Sequence, residues 1–472
     1  MRPHTKHKKP HPADWDLEIS QRGELLIDGC SALELAAQYG TPLHVVQEKR
    51  LAKTAGQFLD AFSQAYPGRV SAHYAFKCNP VAGVVHVLQQ SGFKAEIMSR
   101  FELELALRLG FKGKDIIVNG PYKPEHFLAA CLKNKVRFII ADSLSELSVV
   151  DRVAARLGEK ATLLLRINPD HTPKGMNSGT ATGSRKGCAF GLDLKSGEPG
   201  LALKKLQECP HIQWAGFHFH MGTGIRQAED YYRAIAKLKP LLEEVEKLGL
   251  KTEVLDIGGG FATPHSREMT TLEMLYYQAT NRLPGNFKMP QLANMASFAE
   301  RITAGIYSLF GSDSLPELIL EPGRCLTSSN QLLLLAVEQV KDRPGIGKWI
   351  TTNGGIGTVA MPVFYEYHEV FLCNEPNRPL SGPMTINGPG CFAADVVYRN
   401  KRMPHVQAGE ILAIMDSGAY FTSWESNFGY PRPAVIAASG GKSRILRRRE
   451  TYDEMMIRDF PNSLKESSLA EE

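Results

Sequence analysis

The chain has 472 residues, of which 43% are hydrophobic and 22% charged, with 42 glycines and 28 prolines. This is the balance of a core-forming globular protein, and it excludes a disordered, collagen-like or disulfide-scaffold chain. The net charge of +5 is too weak for a nucleic-acid binder of this size. In chain order, the opening MRPHTKHKKPHP is not followed by the apolar stretch of a secretory signal, and it is expected to be a basic disordered tail over residues 1–13. Strand-like ELLID and PLHVV follow. From there strand and helix patterns alternate: VSAHYAF (70–76), KAEIM (94–98), DIIVN (115–119), VRFIIAD (136–142), ATLLLRIN (161–168), IQWAGFHFH (212–220), TEVLDIG (252–258) and ELILE (317–321). Between them lie stretches such as VAGVVHVLQQSG and RFELELALRLG, with apolar residues at three- and four-residue spacing and a closing glycine.

Strand–helix alternation implies a parallel sheet, and eight units point to a closed (β/α)8 TIM-like barrel over 42–328, with an open doubly wound sheet as the alternative. Two stretches depart from the rhythm: 171–187, rich in Gly, Thr, Ser and Lys, is expected to be a long mobile loop, and 263–301 carries extra helical material. After Arg324 short apolar runs are punctuated by RPGIG, NGGIG, NEPNRP, NGPG and DSGAY, the pattern of an all-β domain. It is expected over 329–450, completed by N-terminal strands from 14–41, with a charged tail over 451–472. Lys and Arg cluster at both ends, as Arg2, Lys6, Lys8 and Lys9 and as Arg444, Arg447, Arg448 and Arg449, and read as solvated tails. The longest apolar run, near Leu332–Val337, falls far short of the roughly 18 residues of a membrane span. Eight scattered cysteines without a C-x-x-C pair argue against zinc and for a reducing, cytoplasmic setting.

Barrel active sites lie at the C-terminal ends of the strands, and the unusual residues fall there: Lys77 after the first strand, His218 and His220 at the sixth, Gly258-Gly259-Gly260 after the seventh, Glu321-Pro322-Gly323-Arg324 after the eighth. Singly, each has an ordinary reading as a solvated lysine, a core histidine, a tight turn or a strand-end ion pair. Jointly, an amine, a glycine nest sized for phosphate, an imidazole and a carboxylate point to pyridoxal phosphate. Lys77 would bind its aldehyde, Glu321 would pair with its ring nitrogen and His220 would lie against the ring. Gly258, Gly259 and Gly260, with Thr223, would take its phosphate. No metal is expected.

YAFKCNP around Lys77 resembles the lysine motif of the alanine-racemase-like (type III fold) pyridoxal-phosphate decarboxylases. GFHFHMGTG, LDIGGGF, EPGR, NGPGCFAAD and DSGAY resemble further signatures of that family, in the same order. NGPYKP, ADSLSEL, LRINPD and SNFGYPRPA are similar to the diaminopimelate decarboxylase branch. The resemblance implies a barrel with a β domain and a head-to-tail homodimer with shared active sites. It implies that Cys391 from the partner subunit protonates the carbanion and that Asp395 supports the site. Tyr420, Gly323 and Arg324 would face the cofactor phosphate, with Tyr420 or Arg324 also able to meet the substrate. The chain departs from the branch where the substrate's far end is read. VAMPVFYEYHE places Met361 where the branch carries an arginine for the distal carboxylate, while Tyr365 is retained. Phe392 follows the cysteine where the branch has Glu, and Phe428-Gly429 stand where it has Tyr-Asn. The expected reaction is therefore α-decarboxylation of a diamino acid such as D-lysine or D-ornithine, with Glu425 or Glu366 holding the distal ammonium. The alternatives are meso-diaminopimelate decarboxylation, amino acid racemization and a non-catalytic, partner-binding relative.

Overall fold

The computed structural model describes residues 10–176, 181–284, 292–361 and 366–459. Residues cluster into two compact units, one comprising 50–271 with 288–328 and the other 1–49, 272–287 and 329–472.

The first unit is a closed parallel barrel of β1 (Val70–Ala75), β2 (Lys94–Ile97), β3 (Ile116–Val118), β4 (Phe138–Ala141), β5 (Ala161–Asn168), β6 (Ile212–His218), β7 (Val254–Asp256) and β8 (Glu317–Leu320). Leu318 pairs with Val70 to close the ring. Each strand lies within a run of apolar residues expected to form one. The open-sheet alternative is excluded, because β8 bonds to β1. Ile117, Phe138, Ile140, Leu164, Val254 and Ile319 fill the interior, as the inward-pointing layers of such barrels require. A second aromatic cluster lies outside β7. Phe261 stacks on Tyr231 at 5.0 Å and meets Phe58, Phe62 and Phe298 edge-on. Tyr231 Oη donates to the Gly259 carbonyl at 2.6 Å, so this cluster anchors the glycine turn.

The second unit is a β sheet with strand order Val396–Pro404, Leu380–Asn387, Gly347–Thr352, Gln331–Arg343, Leu43–Gln47, Ala434–Ser439 and Lys442–Arg447. Leu43–Gln47, expected at the start of the barrel, lies in the middle of this sheet. It is buried throughout and bonds antiparallel to Gln331–Leu334 and parallel to Ala434–Ala438. A fully buried five-residue strand fits either unit, and only its hydrogen-bonding partners assign it. The helix Thr271–Thr280, also expected with the barrel, clusters largely with this unit, where Tyr277 Oη accepts the Arg399 N–H at 2.8 Å.

Both supposed tails are partly folded. Order begins before residue 14, in the turn Pro12–Trp15, with Trp15 buried and its indole N–H on Asp416; Arg2, Lys6, Lys8 and Lys9 lie outside the described residues. At the other end Thr451 and Glu454 cap the short helix Tyr452–Met456. Three of the basic residues taken as solvated have carboxylate partners: Arg444 with Glu48, Arg447 with Glu425 and Arg448 with Glu454. On either side of 177–180, which lie outside the described residues, the stretch expected to be a mobile loop is packed down. The His171 N–H donates to the Gly183 carbonyl, and Ala181 and Ser184 are buried.

Candidate active site

β1 runs into a single turn, Phe76–Cys78, that sets Lys77 at the barrel mouth. Its Nζ lies 2.7 Å from Glu96 Oε2 on β2, the lysine side chain one-third exposed and Glu96 almost wholly buried. The second oxygen of Glu96 is buried without a hydrogen-bond partner among the described residues. Glu96 was not anticipated from sequence. A carboxylate inside the apolar strand KAEIM was the available signal, since strand alternation aims such a residue into the barrel.

Deeper in the mouth, His218, Asp256 and Glu321 converge from the ends of β6, β7 and β8. Asn119, just past β3, donates its side-chain N–H to both oxygens of Glu321 at 3.2 and 3.3 Å and lies 3.3 Å from His218 Nε2. His218 Nδ1 and Asp256 Oδ2, 3.9 Å apart, are buried without hydrogen-bond partners among the described residues. Burial, followed by the neighbouring Asp256, raises Glu321 well above the carboxylate range. Burial pushes Asp256 itself up to about 7. Two buried carboxyls held face to face share protons until a positively charged group arrives, which suits a protonated ring nitrogen. One ligand atom from each of the three residues falls within 4.8 Å of the others, spacing a metal ion would also accept. The Asn119 amide N–H aimed into Glu321 favours instead a group that brings its own N–H.

β6 ends at His218, and His220 lies beyond the strand. His220 Nδ1 accepts the Gly259 N–H at 3.2 Å, and burial lowers its pKa to about 3, so it is a neutral ring at neutral pH. The Gly258 N–H donates to Asp256 Oδ1 at 2.8 Å. Two of the three expected phosphate donors are thus occupied in fixing Asp256 and His220. Their glycine identity is nonetheless required. Gly258 and Gly260 have φ of +65° and +97°, and a Cβ at Gly259 would stand 2.1 Å from the Glu321 carbonyl oxygen. Arg324 is buried and its Nε donates to Thr223 Oγ1 at 3.1 Å, which sets a guanidinium beside this hydroxyl at the barrel mouth. Gly323 gives close packing, since a Cβ there would be 2.9 Å from Cys78 Cβ. The residues present fit pyridoxal phosphate: an amine, a proton-holding carboxyl pair, a neutral ring and an arginine at a glycine turn.

A consequence follows for the cofactor-free protein. A carboxyl raised by the fold is protonated more readily there than when unfolded, so its contribution to stability is complete below about pH 4 and lost as pH rises through its folded pKa. For Asp256 that window ends near pH 7. Between pH 5 and 8, Asp256→Asn stripped of cofactor should therefore lose less melting temperature than wild type stripped of cofactor. Parallel curves would refute the buried-pair account.

The remaining site residues lie in the β unit. Cys391 and Phe392 are exposed, and the Phe392 ring lies 6.2 Å from that of Phe428. Asp395 accepts the N–H groups of Ile356 and Gly390 at 2.6 and 2.7 Å, pinning the loop that carries Cys391. Tyr420 is half-buried with φ of +66°. Met361 is buried among Leu333, Val359 and Ile414. Glu425 is not available for a ligand's ammonium, since Arg447 Nη1 and Nη2 occupy its two oxygens at 2.5 and 2.9 Å. Glu366 is fully buried, with Oε2 3.1 Å from His368 Nε2. Tyr365 lies outside the described residues.

The profile of the family described as pyridoxal-dependent decarboxylase, pyridoxal binding domain, matches residues 52–328. The chain belongs to this family. It is a pyridoxal-phosphate-dependent carboxy-lyase, built as the family's barrel with a separate strand-rich domain. Among related decarboxylases, the diaminopimelate decarboxylase of Methanocaldococcus jannaschii is 29% identical over 443 residues, 93% of this chain and 95% of that one. That of Bacillus subtilis is 27% identical over 94% of this chain and 96% of its own. The crystal structure of the M. jannaschii diaminopimelate decarboxylase in complex with L-lysine superposes with a TM-score of 0.84 at 28% identity, covering 95% of this chain and 98% of that one. Among the described residues of this decarboxylase no helix is long and apolar enough to cross a membrane.

Proposed function

We propose that this decarboxylase removes the α-carboxylate of a diamino acid whose far end is an ammonium, with D-lysine and D-ornithine as the favoured substrates. Bound pyridoxal phosphate supplies an electron-accepting ring for the electrons of the Cα–carboxylate bond. The protein's residues do the rest. Lys77 would hold the cofactor, with Glu96 beside it to balance the amine's charge. Glu321 would keep a proton at the ring nitrogen, Arg324 and Thr223 with Gly260 would bind the phosphate, and neutral His220 would border the ring without adding charge. By the resemblance, Cys391 of a second subunit in a head-to-tail homodimer gives its Sγ proton to Cα as carbon dioxide leaves, and Tyr420 completes the site. Among the described residues no cysteine is in a disulfide, which supports a reducing, cytoplasmic setting.

The observation carrying the substrate reading is Met361, an apolar side chain in an apolar core where the branch places the guanidinium for the distal carboxylate. A site lacking that cation discriminates against a second carboxylate, because burying an unpaired carboxylate is costly. The exposed Phe392–Phe428 pair offers ring faces that attract an ammonium instead. The second reading, meso-diaminopimelate, is favoured by the whole-chain similarity to diaminopimelate decarboxylases.

Carbon dioxide release from meso-diaminopimelate and from both enantiomers of lysine and ornithine decides between them. The expected result is a kcat/KM for D-lysine or D-ornithine at least about tenfold above that for meso-diaminopimelate, which is 1.4 kcal/mol of discrimination. Faster turnover of meso-diaminopimelate would overturn the reading. Exchange of the Cα hydrogen without carbon dioxide release would indicate racemization.

A further inference from the structure

Beyond the end of β3, in the segment NGPYKP, the side chain of Lys123 is 0% exposed. Its Nζ lies 2.9 Å from Glu146 Oε1, on the helix Leu144–Leu157, and donates also to the Gly120 carbonyl. The other Glu146 oxygen accepts the Asp142 N–H, just past β4, at 2.8 Å. Burial holds the Glu146 carboxyl above its usual range even with the ammonium against it. The pair therefore carries a desolvation cost that an apolar pair joining the same loop and helix would not. Stability alone does not account for a lysine here.

The Gly120 carbonyl leads from this lysine to the barrel mouth. Gly120 sits at φ +98° with no side chain to lock it. It is held instead from both sides: its carbonyl by Lys123, and its N–H by Asn119 Oδ1 at 2.8 Å. With Oδ1 engaged by that N–H, the Asn119 amide can present only Nδ2 to Glu321, and it does so to both carboxylate oxygens, at 3.2 and 3.3 Å. An amide turned over would set Oδ1 against the carboxylate, repel its charged form and loosen its alignment.

We propose that Lys123 is a positioning residue for the decarboxylation: it fixes Gly120, Gly120 fixes the Asn119 amide, and the amide fixes Glu321 as partner of the cofactor's ring nitrogen. The proposal rests on the reading of Glu321 given above. Lys123 acts through these groups and not on the reacting atoms.

Steady-state kinetics on the amino acid that wild type decarboxylates fastest, together with the visible absorption of the bound cofactor, test this on the holoenzyme. Lys123→Met should lower kcat about tenfold and leave KM within about twofold, because the substrate's own contacts are untouched. The cofactor absorption should shift in the same direction as in Glu321→Gln, a change that a merely structural ion pair would not produce. Lys123→Met also leaves Glu146 buried without its cation, so Lys123→Met/Glu146→Gln is the second variant. Neutral and of similar volume, it should recover the wild-type melting temperature while keeping the low kcat and the shifted absorption. Adding Lys123→Met to Asn119→Ala should cost no more than about a further twofold in kcat, since both act on one carboxyl. Full kcat or wild-type absorption in Lys123→Met/Glu146→Gln, or losses that multiply when Lys123→Met and Asn119→Ala are combined, would overturn the proposal. Unchanged kcat and absorption in Glu321→Gln would remove Glu321 from the ring nitrogen and the proposal with it. Changes in Glu321→Gln without any in the Lys123 variants would leave that assignment standing and overturn only the role of Lys123.

Discussion

Lys77→Ala should lose carbon dioxide release by about three to four orders of magnitude, and borohydride should no longer fix the cofactor onto the chain. Lys77 is the amine at the barrel mouth, on a turn that β1 delivers and β2 braces through Glu96. The substitution also leaves Glu96 buried without its cation. Because Lys77 is itself one-third exposed, water enters to screen the carboxylate, and the stability loss should remain near 1 kcal/mol, well below the several kcal/mol of a fully buried broken pair. Lys77→Arg separates the two effects: it restores the charge beside Glu96 and the melting temperature but not the activity. Full carbon dioxide release by Lys77→Ala would remove the lysine from the mechanism altogether.

Glu321→Gln should move activity and stability in opposite directions. Glutamine keeps the shape and the Asn119 contact but cannot hold a negative charge against a protonated ring nitrogen, so kcat should fall about 10²- to 10³-fold. Without cofactor the sign reverses. The fold raises the pKa of Glu321 through burial and the facing Asp256, so ionising it at neutral pH destabilises the native state, and the neutral amide removes that cost. Cofactor-free Glu321→Gln should therefore melt above cofactor-free wild type at pH 8 and approach it at pH 5. Such a gain on removing a functional carboxylate is the ordinary trade between a strained site and a stable fold. A lower melting temperature at pH 8 would show that Glu321 is a structural ion in a well-matched environment.

Much of this was legible in the residues because it is local. Eight apolar runs became eight strands, since burial on both faces of a parallel strand leaves an unbroken apolar stretch that needs no partner to be read. Lys77, His220, the three glycines and Glu321 stood out for the same reason, as chemistry-bearing residues at strand ends. Identical reasoning misplaced Leu43–Gln47, whose five apolar or neutral residues suit any interior.

What the tertiary structure decided was which polar groups meet. Asn119 and Asp256 carried no signal as site residues: Asn119 reaches Glu321 across 202 positions of sequence, and only barrel closure brings the ends of β3 and β8 into one mouth. Pairing also settled the arginines. Arg447 takes the carboxylate of Glu425 while Arg449, two residues on, has none within 4.0 Å among the described residues and bonds the Pro42 carbonyl instead. The sequence by itself determined the barrel, its cofactor chemistry and where that chemistry lies, because burial and strand-end position are written in short runs. Which charges are satisfied depends on Coulomb and hydrogen-bond contacts over a few ångströms between distant segments, and that only the folded chain decides.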